Sequence, residues 1–395
     1  MELMHNTHTP KAHPHISSPG ELLSNIPGML GFYPTDSVIF ISLEQPGSGA
    51  HTDTGISLGP LIRVDIPDIF DAWADASDLL NTPHCVCIFA FIISQRPQAE
   101  IADISDLLYA LGDVEAIAED SLSAGVVELP GDSGGTTVDA AWWVEEICAG
   151  ESYELIFGPT SPDGAGPLQD WEHGKIPAIT ASQSMRHCVD NHVIPELNRG
   201  DMMERFSRSN PCMSPESAAA MAEAARRAGL ELRNNLRIRG TESTLSAAGL
   251  IEDVPRLLAE VASVEETYRD HEMLATVALW LSTTWVRDLV VSDLIEQPQA
   301  ASKLLLAAAH TFKGTIRANA LALYAAVELT TECIVYAGPA LHVLREEEAH
   351  HSLGNLIFAV YRAGKFEIIA SSMQKGCRVA RAAALGEETT SENAA

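Results

Sequence analysis

Only four of the first 180 residues are basic (Lys11, Arg63, Arg96 and Lys175), against 27 Asp and Glu. That stretch carries a net charge of −23, and the remainder, with 21 basic and 27 acidic side chains, adds −6 to reach the −29 of the whole chain. A surface so poor in cations repels phosphate backbones and anionic lipid alike, which argues against nucleic-acid and membrane partners. Long apolar runs are missing too. The longest uncharged one, Met273–Val286, falls short of the ~20 residues that cross a bilayer. The N-terminal "MELMHNTHTPKAHPH" has no apolar segment of the kind a secretory leader needs. The expectation is a cytoplasmic protein with no membrane partner.

Familiar chemical signatures are also absent. Seven cysteines are scattered through the chain, and the one close pair, Cys85 and Cys87, has no second Cys or His pair at zinc spacing. They are expected to be buried free thiols. No glycine-rich phosphate loop of the P-loop or dinucleotide type occurs. His271-Glu272 begins a zinc-protease motif, but Ala275 stands where the second histidine belongs. No cofactor is expected.

What is present begins with alternating periodicity. "DSVIFISL" reads as a strand of β-branched and aromatic residues. Residues 60–66 read as a strand and 67–80 as a helix, with Phe70, Trp73 and Leu80 on one face and Asp68, Asp71, Asp75 and Asp78 on the other. Residues 84–93 form a nearly continuous apolar run, the pattern of a strand covered on both sides. Residues 97–111 repeat the helical pattern, with Ile101, Ile104, Leu108 and Leu111 inward, and "DVEAIAED" reads as a further strand. Strand, helix, strand, helix, strand with short joints predicts an α/β domain with a mostly parallel sheet. A hairpin of 124–130 and 138–147 is added to it. From about 150 to 180 the pattern dissolves into Gly, Pro and Asp, which reads as a loop or linker.

Beyond residue 181 the chain reads as Ala- and Leu-rich helices. Residues 355–376, with Asn355, Leu356, Ala359, Tyr361, Gly364, Phe366 and Lys375, resemble part of a tetratricopeptide repeat turning at Gly364; residues 305–326 give a weaker copy turning at Gly314. The predicted organisation is a disordered tail at 1–17, an acidic α/β domain at 18–160, linker and connecting helices at 161–212, an all-α tetratricopeptide-like domain of helical hairpins at 213–382, and a disordered tail at 383–395. Arrays of this kind usually bind proteins or peptides, which is the partner the resemblance implies.

Three groups of residues invite a chemical reading. Ser133 lies in "GDSGG", the pentapeptide around the nucleophile of one protease class. Its surroundings count against catalysis: Pro130 closes the preceding strand, Thr136-Thr137-Val138 opens no helix, and helical patterns occupy the region where barrel strands belong. A glycine-rich turn is the better reading. His342, Glu346 and His350 recur every fourth residue and would share a helix face fit for a metal, although exposed Glu-His pairs are far commoner. Asp65, Asp68, Ser94, Gln95 and Arg96 follow the carboxyl ends of two predicted strands, where open α/β sheets bind ligands. There Asp65 and Arg96 are expected to meet, as an ion pair or as a polar-ligand site. An Arg-rich segment at 186–239 is expected to pack against acidic surface rather than nucleic acid.

The opening segment "LLSNIPGMLGFYPTDSVIFISL", with Leu30-Gly31-Phe32, Pro34 and Asp36-Ser37, resembles the opening motif of an actinobacterial family, domain of unknown function four-one-nine-two. "RVDIP", the strand "AGVVELP" and the segment at Trp142 and Trp143 extend the resemblance over most of the chain. Tyr33 and the strand end "FAFIISQRP" depart from it. The resemblance implies the architecture and brings no activity, cofactor or catalytic residue. The functional expectation is a non-catalytic binding or scaffold protein. The alternative is a hydrolase using Ser133, or a small polar-ligand site near Asp65 and Arg96.

Overall fold

The computed structural model describes residues 18–45, 57–110, 138–158, 169–190, 193–237, 246–331 and 334–386. The chain divides into two compact units, with the boundary between Pro195 and Glu196. The readings at 1–17, 113–120, 124–130 and Ser133, and the tail beyond Gly386, lie outside the described residues.

The first unit runs α1 (Pro19–Leu30), β1 (Ser37–Glu44), β2 (Ser57–Asp65), α2 (Ile69–Leu80), β3 (Cys85–Ile93), α3 (Gln98–Ala110), β4 (Ala140–Val144), β5 (Ser152–Phe157), α4 (Gln169–Glu172), β6 (His173–Lys175) and α5 (Gln183–Asp190). Ser18 caps α1, its hydroxyl accepting from the Glu21 amide at 3.3 Å. The sheet order is β2-β1-β3-β4-β5-β6.

The sheet is mixed, which corrects the mostly parallel expectation. Strand β1 lies antiparallel between β2 and β3, and of the neighbouring pairs only β3 and β4 are parallel. The two strands flanking α2 do run the same way, but their crossover spans β1 instead of joining neighbours. Burial explains the insertion. Val38, Ile39, Phe40 and Ile41 are fully buried, and a strand apolar on both faces is stable only where both faces and both edges are covered. Strand β4 has β3 on one edge and β5 on the other. The segment read as a loop after residue 150 supplies β5 and the three-residue edge strand β6. At the opposite edge, β2 bulges opposite Ser42, where Gly59 and Pro60 sit.

Both faces of the sheet are packed. Ile69, Trp73, Ala76 and Leu80 of α2 join Ile101, Ile104 and Leu108 of α3 over Val38, Phe40, Ile88, Ala90 and Ile92. Burying each large member of such a stripe stabilises by roughly 1.5–3 kcal/mol. Phe70 falls outside the stripe and is 59% exposed, against expectation, because the helical face begins at Ile69. Asp71, Asp75, Asp78, Asp103 and Asp106 point outward, as the pattern requires. On the opposite face Phe91 stacks on Trp142 at 5.3 Å, and the Trp142 indole donates to the Trp171 carbonyl.

The second unit is helical: α6 (Arg199–Glu204), α7 (Pro215–Arg237), α8 (Ala247–Glu260), α9 (Val264–Arg269), α10 (His271–Leu281), α11 (Thr284–Glu296), α12 (Pro298–Thr311), α13 (Gly314–Glu328), α14 (Ala337–Glu347), α15 (Ser352–Arg362) and α16 (Glu367–Leu385). Helix α13 is buried on every side from Ile316 to Glu328 and forms the centre, with α12, α14 and α15 packed on it. A helix wrapped this completely must satisfy its polar groups internally. Arg317 does so with a forked pair to Glu347 at 2.6 and 2.8 Å and a bond to the Phe206 carbonyl at 2.8 Å. Asn319 accepts from Arg287 and donates to the Leu281 carbonyl, both at 2.9 Å.

The expected turns at Gly314 and Gly364 exist, each with a positive φ. Helices α12 and α13 form a tight hairpin, whereas α15 lies on α13 and α14 and α16 lies on α11. Ala301, Ala307 and Ala308 are among the buried residues of α12, while of α15 only Gly354 and Ile357 are buried.

Candidate functional site

The carboxyl ends of β2, β3 and β4 and the start of β1 meet at one end of the sheet. Gly31 closes α1 in the left-handed conformation, and the chain then turns through Asp36, whose φ of 43° places a non-glycine residue in the same region. The cost of that conformation is offset locally. The Asp36 carboxylate accepts from the buried Ser94 hydroxyl at 2.7 Å, its backbone carbonyl accepts from the Ile66 amide, and Arg96 lies 3.4 Å from the same carboxylate oxygen. The Ser94 amide donates to the Val144 carbonyl, and the Trp143 indole donates to the Ser94 carbonyl. Ser94 thus ties the ends of three strands together, through its hydroxyl to the residue before β1 and through its backbone amide and carbonyl to β4.

The expected meeting of Asp65 with Arg96 is replaced by other pairs. Asp65 is held by Arg63, two residues back on its own strand, and Arg96 by Asp36 and Glu100. Side chains of residues two apart share a strand face, which makes Arg63 the nearer cation. Arg63 also lies 5.9 Å over the Phe32 ring. Neither Asp65 nor Asp68 caps the helical segment it precedes. Asp68 and Gln95 are exposed beside the cluster.

The metal triad does not assemble. Helix α14 ends at Glu347, so His350 lies past the turn that would have carried it onto the shared face. His342 and Glu346 form an exposed pair at 3.1 Å. His351 turns inward instead, to Asn319. Cys85 and Cys87 are free and half-buried, and burial together with Asp139 pushes the Cys87 thiol up to about 11, away from the thiolate a metal needs. Glu146, Cys148 and Glu151 gather at the turn between β4 and β5, where burial also raises the Cys148 thiol.

Sequence patterns gave no sign of two cavities in the helical unit. One, of about 610 Å³, runs along α7 to the corner between α12 and α13; Arg208, Arg226 and Lys313 line it together with Ala218, Ala219 and Ala222. Its one carboxylate, Glu223, is paired with Arg226 at 2.8 Å. The other, of about 410 Å³, is lined by Glu196, Asp201, Glu204 and Glu265, with Arg205 as its one cation. Ser209 and His310 belong to both linings.

The proton positions on His310 follow from its partners. Nε2 faces the Arg205 carbonyl at 2.6 Å, which can only accept, so Nε2 carries the hydrogen. Nδ1 then accepts from the Tyr268 hydroxyl. Burial pushes that hydroxyl up to about 12 and lowers the imidazole, so the pair stays neutral. Thr311 and Ser282, also on the cleft wall, donate their hydroxyls to the carbonyls of Ala307 and Leu279.

A family model described as Domain of unknown function (DUF4192) matches residues 19–365, from the first residue of α1 to just past α15. The chain belongs to that family. No curated protein and no solved structure matches it. The DUF4192 match spans both the sheet-end cluster and the helical cleft. The motif that carried the family resemblance has a physical content here: Gly31 and Asp36 are its two left-handed positions, and Ser37 begins β1.

The clues to the DUF4192 helical cleft were present but uninterpretable without the fold. Arg208 and Arg226 lay in the Arg-rich segment, and Lys313 in a predicted turn. Arg226 pairs on its own helix and Arg205 lies 4.2 Å over the Tyr336 ring, so part of that segment finds partners within the helical unit.

Proposed function

We propose that the protein is a non-catalytic, cytoplasmic binding protein whose ligand occupies the cleft of the helical unit. One observation carries this reading. The polar groups on the cleft wall best suited to chemistry are already engaged by the protein: His310 through both ring nitrogens, Thr311 and Ser282 through their hydroxyls. A nucleophile needs a free base within reach, and a base needs a free nitrogen. The cleft volume lies in the range of small-molecule sites, about 300–1,000 Å³. That favours a compact ligand over the extended peptide that stacked hairpins would cradle. The described cysteines, all unbonded, are in keeping with a reducing compartment.

Equilibrium dialysis of the full chain against a pool of small polar metabolites, read by mass spectrometry, tests this. We expect a compound to concentrate on the protein side and return chemically unchanged. Conversion of the retained compound would overturn the non-catalytic reading, and retention of nothing would overturn the binding reading.

A further inference from the structure

We propose that the ligand of this cleft carries a phosphate monoester on a small apolar body; the inference rests on the binding reading above and specifies its chemistry. Arg208, Arg226 and Lys313 face Glu223 alone, a balance of three positive charges to one negative among the lining residues. His310 adds no charge, since both its nitrogens are committed as a neutral ring. In a chain of net charge −29 such a local excess of cations stands out. Arg208 has no ion pair among the described residues, so its guanidinium is available.

The charge fits a dianion. A phosphate monoester carries about −1.5 to −2 at neutral pH, whereas a single carboxylate leaves one cation uncompensated. Guanidinium groups also match phosphate oxygens two at a time. Helix α13 begins at this corner with no side-chain cap, and Thr315 and Ile316 of its first turn line the cleft. The positive end of that helix reinforces the side-chain field. The floor is a different surface. Ala218, Ala219 and Ala222 lie on one face of α7 and offer area without polar demand, suited to the organic part of an ester. Across the wall formed by Ser209 and His310, the carboxylate-lined cavity repels an anion, which directs it to the basic side.

Isothermal titration calorimetry of the full chain with phenyl phosphate, inorganic phosphate, benzoate and phenol tests the assignment. We expect phenyl phosphate to bind more tightly than inorganic phosphate and benzoate, phenol to bind least, and affinity to fall with added salt. Arg208→Glu and Lys313→Glu are each expected to weaken phenyl phosphate by about tenfold or more. Arg208→Gln, which removes charge without reversing it, should give a smaller loss, with an unchanged melting temperature showing that the fold is intact. Benzoate or phenol matching phenyl phosphate, unchanged affinity in both charge reversals, or no heat at about 10 mM phenyl phosphate overturns the proposal. A retained neutral or carboxylate compound in the dialysis experiment would leave the binding reading standing while this one falls.

Discussion

His310 shows how one buried side chain links packing to pH. The folded protein holds it neutral because burial disfavours the imidazolium and because protonation would remove the acceptor used by Tyr268. The unfolded chain protonates it near its ordinary value of 6.5. As pH falls through that value the unfolded state therefore takes up more protons than the folded one, and stability is lost. The stabilisation is fully present above about 6.5 and declines toward the depressed folded-state value. His351, also lowered by burial, acts in the same direction. Glu328, raised by burial, acts in the opposite one. We expect urea midpoints of the wild type to fall between about pH 7.5 and pH 5.5, and to fall less in His310→Gln. Equal slopes in the two proteins would show that His310 contributes nothing to the dependence. The tautomer behind this argument was illegible in the sequence, since Arg205, Tyr268 and His310 are brought together only by tertiary packing.

At the scale of elements, helices with a clear apolar stripe were legible and their partners were not. The Ile101, Ile104 and Leu108 face of α3 and the Ser18 cap of α1 follow from spacing and chemistry alone. The place of β1 does not, because an apolar strand reads the same whether its neighbours run parallel or antiparallel. The helical segments show a related limit: turn glycines mark where helices reverse, but the size of the facing side chains decides whether they close up. Gly28 on α1 tests the same idea. A methyl group there would stand 2.5 Å from the Ser184 hydroxyl and 2.7–2.8 Å from the α5 backbone. Alanine favours an isolated helix by about 1 kcal/mol over glycine, yet Gly28→Ala is expected to destabilise by ~1–3 kcal/mol because α1 and α5 must separate. A guanidinium chloride midpoint at or above wild type would refute the close approach.

Charge acts on the molecule as a whole. The excess of carboxylates over cations in the first 180 residues was legible from composition, and the acidic faces of α2 and α3 account for part of it. Like charges within a Debye length oppose the compact state, and salt screens them. The melting temperature is therefore expected to rise as NaCl increases from about 10 mM to about 200 mM, followed by calorimetry. A flat or falling trend would mean that local ion pairs outweigh the collective repulsion. The candidate cleft was less legible than the charge, because its cations come from a loop, a helix and a turn far apart in sequence.

The two borders of the mixed sheet carry a last consequence. A border strand offers unpaired amides and carbonyls to any other chain that presents the same. Here one border is interrupted by Pro60, which has no amide hydrogen, beside a bulge, and the other is only three residues long. Among the described residues, these margins thus leave little template on which a second copy could grow a ribbon.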